Sequence, residues 1–131
     1  MKIAIIQLAN DDKENKQERL SRVGAIIDGL RGVDLIVLPE LWNVGFFAFA
    51  DYKSRSEHLK GETISFLSSK AAEIGSYIFT GSFIERRGDQ YFNLCALLDR
   101  KGAVLGTYRK MHLFGYGSAE GKILTPDRKS V

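Results

Sequence analysis

Residues 1–9 form an almost unbroken apolar run containing β-branched side chains, the pattern of a strand buried on both faces. The period then changes. Asp11 followed by Glu14 reads as a capping box with Asp in the Ser/Thr role, and Leu20, Val23, Ile27 and Leu30 recur at helical spacing behind it. Residues 33–38, rich in Val, Ile and Leu and stopped by Pro39, predict a second strand. Strand, helix and strand of these lengths make a βαβ unit.

Residues 42–60 are looser, with three phenylalanines and one glycine near their start and a polar remainder, and predict a partly buried loop or short helix. Thr63 then caps a second helix whose Ile64, Leu67, Ala71 and Ile74 share a face, and Gly75 stops it. Three strands follow, at residues 77–83, 91–98 and 103–109. The gap 85–89 and the turn 99–102 join them as hairpins. The sheet is therefore expected to be mixed, parallel at its start and antiparallel at its end. No repeat, low-complexity tract or Gly/Ser/Pro linker divides the chain.

With 131 residues and 44% hydrophobic content, the chain reads as one ordinary globular unit, not a disordered or fibrous one. The opening apolar run is too short for a membrane span and too soon followed by charges for a signal peptide, so a cytoplasmic location is expected. The single cysteine, Cys95, has no partner for an internal disulfide. A net charge of +3 and a pI near 9.0 do not change the picture, because the cations are scattered among acids. Neither a nucleic-acid nor a membrane partner is expected.

Ligands of α/β sheets bind beyond the carboxyl ends of the strands, which directs attention to Glu40, straight after the second strand, and Lys110, straight after the last. Desolvation of Glu40 at such a place would suit it to general-base work. From position alone, two exposed strand-end charges are the stronger reading. His58 and His112 stand apart and share no metal-ligand spacing with Cys95. Phe46, Phe47 and Phe49 are candidates for a pocket wall, although such a cluster is more often core.

The local sequences change that balance. Leu38-Pro39-Glu40-Leu41-Trp42 resembles the catalytic-glutamate segment of the nitrilase superfamily of carbon–nitrogen hydrolases, and residues 108–114, Tyr-Arg-Lys-Met-His-Leu-Phe, resemble its lysine segment. Asn93, Asp99, Gly102 and Gly106 fall where that family has a strand, turn and strand leading to the lysine, and the first strand ends in Gln7 as the family's does. The resemblance extends from Lys2 to about Arg128.

It implies an α/β fold, a partial αββα sandwich with a mixed sheet and helices on one face. It also implies amidase-type hydrolysis of non-peptide C–N bonds, in small linear amides, through a cysteine thioester and without a cofactor. Glu40 would be the base, Lys110 the oxyanion stabiliser and Glu120 the second glutamate that orients the lysine, with a plain surface acid as the equal alternative for Glu120. The family's nucleophile lies downstream of the lysine, so residues 1–131 are expected to be an incomplete domain truncated before it and inactive alone. Cys95 lies before Lys110, mid-strand, and reads as a small buried hydrophobe. The expected partners are an amide substrate and either a second copy or a complementary fragment. Two other readings stay open: a non-catalytic remnant of a truncated or split gene acting as a structural or partner-binding module, and a flavodoxin-like small-molecule binding module.

Overall fold

The computed structural model describes residues 1–11, 13–115 and 117–128. Five strands form one sheet in chain order: β1 (Ile3–Ile5), β2 (Leu35–Val37), β3 (Tyr77–Arg87), β4 (Gln90–Leu98) and β5 (Val104–Arg109). β1, β2 and β3 run parallel, whereas β4 and β5 pair antiparallel with their neighbours. The helices are α1 (Lys16–Asp28), α2 (Glu62–Ile74) and the short α3 (Ala119–Ile123), with a single 3-10 turn at Phe49–Asp51. No helix among the described residues is long and apolar enough to cross a membrane.

Both long helices start where a side chain satisfies their free N–H groups, but not at the residues expected from sequence. α1 is capped by Asn15, whose side chain accepts from the Glu18 N–H while Glu18 reaches back to the Asn15 N–H. The Asp11 capping box is thus corrected: the carboxylate of Asp11 accepts from Lys13 in a local turn instead. The N-cap of α2 is Gly61, not Thr63. Thr63 lies inside the first turn, donating its N–H to Glu57 Oε2 at 2.8 Å, so a carboxylate from the preceding loop does the capping. Gly75 ends α2 in the left-handed conformation at φ 68°, as expected.

α1 and α2 lie on one face of the sheet. Val23, Ile27, Leu67 and Ala71 are fully buried there against Ile36, Ile78 and Leu98. Each large apolar side chain so placed contributes about 1.5–3 kcal/mol. Among the described residues, the other face carries no helix. Its central row, Ile5, Val37, Phe79, Leu97 and Gly106, is directly paired across all five strands. Ile5 is 79% exposed and Phe79 37%. The expectation that β1 is buried on both faces is corrected accordingly, because the described residues supply only one covering layer.

A second cluster at the end of the sheet joins Leu41, Val44, Tyr52, Ile84 and Leu124. It fixes the loop after β2 and the segment after β5 against the same strand ends. The two hairpins are tight; β3 runs on to Arg87 and turns through Gly88, at φ 60°, and Asp89. The 85–89 gap expected from sequence is therefore mostly strand.

Candidate active site

Glu40 is delivered by a backbone that crosses over β3. Past the end of β2, the Leu38 N–H still donates to Phe79 O, and Leu41 takes a left-handed conformation, φ 51°, rare for a residue with a side chain. Its N–H donates to Ser82 Oγ at 3.1 Å, and the Trp42 indole N–H donates to Thr80 O at 2.9 Å. The crossing requires Gly81. A Cβ there would lie 2.0 Å from Pro39 O, and its φ of 64° is itself unfavourable for other residues. The register of β3 on β4 shifts at this point, between Phe79 and Ser82.

Lys110 arrives from the far edge. Its N–H donates to Asn93 O, extending the β4–β5 pairing by one residue past Arg109. Its Nζ lies 2.9 Å from Glu40 Oε1 and 3.2 Å from Glu120 Oε1. Glu120 comes from α3, capped by Ser118 and followed by buried Leu124. Only 1% exposed, Glu120 is not a surface acid; its other oxygen accepts the Phe114 N–H at 2.8 Å. Asn93 completes the group, its Nδ2 lying 2.7 Å from Glu40 Oε1 and 3.4 Å from Glu120 Oε1.

Two carboxylates thus share one ammonium. Burial works against the charged form of Lys110, but the bonded Glu40 carboxylate, with Glu120 beside it, outweighs that and holds the lysine pKa above its ordinary value. The cation is secured. Tyr52, fully buried beneath the site, has its phenol pKa pushed far up by desolvation and further by the charges of Glu120 and Glu40. It stays neutral and donates to Phe46 O at 2.6 Å. Glu40 itself is 43% exposed and is paired, with Lys110 Nζ and Asn93 Nδ2 both on its Oε1.

Glu40, Lys110 and Asn93 form the polar end of a cavity of about 220 Å³ whose other walls are Leu38, Phe79, Cys95 and Tyr108. The cavity opens on the helix-free face of the sheet. A second cavity, of about 200 Å³, shares Glu40 and is lined by Leu41, Trp42, Phe46 and Phe47. Of the phenylalanine cluster, Phe46 and Phe47 reach this wall, while Phe49 packs between Phe47 and Tyr52. Cys95 faces the first cavity, half-buried, and burial pushes its thiol pKa up, away from the thiolate that a nucleophile needs. No group of three His, Cys, Asp or Glu among the described residues could hold a metal ion.

Chemically, the arrangement offers a carboxylate with one oxygen engaged and Oε2 without a hydrogen bond among the described residues, next to a fixed cation. That is a proton acceptor beside a stabiliser of developing negative charge. Asn93 and Ser82 have no place among the candidates that strand-end position selects. The available signal for Asn93 was a polar residue within the otherwise apolar run of β4. Ser82 and Gly81 gave none, because their role depends on which chain crosses above them.

The sequence profile of the carbon–nitrogen hydrolase family matches residues 2–129. A 2-oxoglutaramate amidase of Paenarthrobacter nicotinovorans is 32% identical over 93% of this chain and 43% of its own length. The human omega-amidase NIT2 is 31% identical over 99% of this chain and 46% of its own length. Among solved structures, the Xanthomonas campestris protein XC1258, a CN-hydrolase superfamily protein, superposes with a TM-score of 0.83 at 27% identity, covering 97% of this chain and 46% of that one. The chain spans about half the length of the relatives it matches. Profile, relatives and fold agree, and the chain belongs to the carbon–nitrogen hydrolase family, the nitrilase superfamily.

Proposed function

We propose that this chain supplies the glutamate and lysine of an amidase that hydrolyses small linear amides, and that the nucleophile is a cysteine outside residues 1–131. The meeting of Glu40 and Glu120 on the Lys110 ammonium carries this reading. Glu40 takes the thiol proton as sulfur attacks the amide carbon, and returns it to the departing amine. Lys110 stands where the carbonyl oxygen gains negative charge, and Glu120 holds the lysine there. Water, deprotonated by Glu40, then releases the acid from the thioester. The amide class is supported by relatives named as 2-oxoglutaramate amidase and omega-amidase. The free cysteine suits the cytoplasm as the place of action.

Residues 1–131 alone are expected to hydrolyse no amide or nitrile, because removing a nucleophile leaves only binding and oxyanion stabilisation. Mixing them with a complementary segment that carries the downstream strands and cysteine should restore hydrolysis. Turnover by residues 1–131 alone that depends on a thiol and vanishes in Cys95→Ala would overturn the reading.

A further inference from the structure

We propose that Asn93 is the positioning residue of this site, its side-chain amide shared between the carboxylates of Glu40 and Glu120 so that both stand fixed on either side of Lys110. The inference rests on the catalytic reading of Glu40 and Lys110 and adds a residue to it. Its basis is a closed circuit of donors and acceptors. Asn93 Nδ2 lies 2.7 Å from Glu40 Oε1 and 3.4 Å from Glu120 Oε1, and Lys110 Nζ lies 2.9 and 3.2 Å from the same two oxygens. Each Oε1 therefore accepts once from the neutral amide and once from the ammonium.

Three physical points favour asparagine here. The side chain is 3% exposed, so its amide hydrogens have no competing bulk water and their loss would leave two acceptors short of a donor. It is uncharged: it separates two anions without cancelling the attraction of either for Lys110, which a second cation would do. Its backbone is also committed, since Asn93 O accepts the Lys110 N–H at 2.8 Å. One residue thus sets the distance between the lysine backbone and the glutamates that its side chain must meet. The bond to Glu40 Oε1 matters most, because Glu40 is the more exposed acid and without it would sample solvent. With Oε1 engaged, Oε2 is left as the atom that exchanges the proton.

The test uses residues 1–131 and reads the Lys110 ammonium by nitrogen-15 NMR, with no turnover required. In Asn93→Leu, which keeps the branched shape and removes both donors, Glu40 should swing away. Exchange of the Lys110 ammonium hydrogens with water should accelerate about tenfold, the ratio expected for loss of one charge-assisted hydrogen bond. The pH at which Lys110 deprotonates should fall toward lysine's ordinary value. Backbone amide spectra of α1 and β3 report whether the fold is kept. If Asn93→Leu does not fold, Asn93→Ser, with one donor in place of two, should show a smaller acceleration. A folded variant with an unaltered Lys110 signal would make Asn93 a packing residue and overturn the proposal. Absence of hydrolysis in the completed enzyme would instead count against the catalytic reading and leave this result standing.

Discussion

Lys110 Nζ lies 2.9 Å from Glu40 Oε1 although their strands, β5 and β2, are separated by both β3 and β4. The contact is not one between neighbouring strand ends. It exists because the backbone at Pro39–Leu41 steps over β3 at Gly81 and because Asn93, on β4, receives both sides. Four elements must be in place before these two residues meet.

Gly81→Ala should show this dependence most directly. The added methyl would lie 2.0 Å from Pro39 O at a φ of 64°, so the chain bearing Glu40 must lift away from β3. Backbone strain of this kind costs on the order of 1–3 kcal/mol, and displacement of buried Leu41 adds to it. Urea denaturation should register a loss of at least about 2 kcal/mol, and the Lys110 ammonium signal should lose its protection. An unchanged midpoint would mean that the crossing is softer than its geometry indicates.

Lys110→Met would leave Glu120, 1% exposed, without its cation. Breaking a buried pair costs about 3–5 kcal/mol, and with Lys110 27% exposed the low end, about 3 kcal/mol, is expected. Adding Glu120→Gln should recover more than half of the loss, since the neutral amide no longer needs a partner. A double variant no more stable than the single one would argue against Glu120 as an unpaired charge.

The pH dependence has a definite sign. The folded pKa of Lys110 is raised above its unfolded value, so the stabilisation it confers is complete below about pH 10.4 and disappears as pH rises through the higher folded value. The stability difference between the chain and Lys110→Met should be flat through neutral pH and shrink as pH rises through that alkaline range. A difference that shrinks on acidification across neutral pH would point to another group.

Cys95 lines the cleft with its thiol pKa raised by burial. Iodoacetamide should therefore modify it more slowly than a free cysteine at neutral pH, with a rate that climbs until well above the ordinary thiol range of about 8.5. Mass spectrometry of the alkylated chain gives the profile. A rate plateau below neutrality would reveal an activated thiolate and reopen Cys95 as a nucleophile.

The helix-free face should govern association. Monomers seldom expose contiguous apolar patches beyond a few hundred Å², and Ile3, Ile5, Tyr77, Phe79 and Tyr108 all lie on this face. The isolated chain is expected to self-associate in light scattering, and Ile5→Lys with Phe79→Glu should shift it toward monomer. A chain that stays monomeric across a hundredfold range of concentration, with sharp cooperative unfolding, would show the face to be tolerated in water.

The alternation and period of apolar residues, with the turn residues between them, determined the strands, the two long helices and the change from parallel to antiparallel pairing, because these are local or nearest-neighbour properties. The motifs around Glu40 and Lys110 were likewise legible in the sequence. Cap positions were not: Asp11 and Thr63 have the right chemistry, but Asn15 and the carboxylate of Glu57 win by where the preceding chain runs. Burial of β1 was misread for a related reason. An apolar run records that both faces are suited to being covered, whereas only the packing of α1 and α2 decides which one is covered within these residues. Asn93 marks the same boundary: its polar side chain in an apolar strand is visible in the sequence, but its two carboxylate partners lie 53 and 27 residues away. Only the folded chain, crossing at Gly81 and closing with α3, brings them within hydrogen-bond reach.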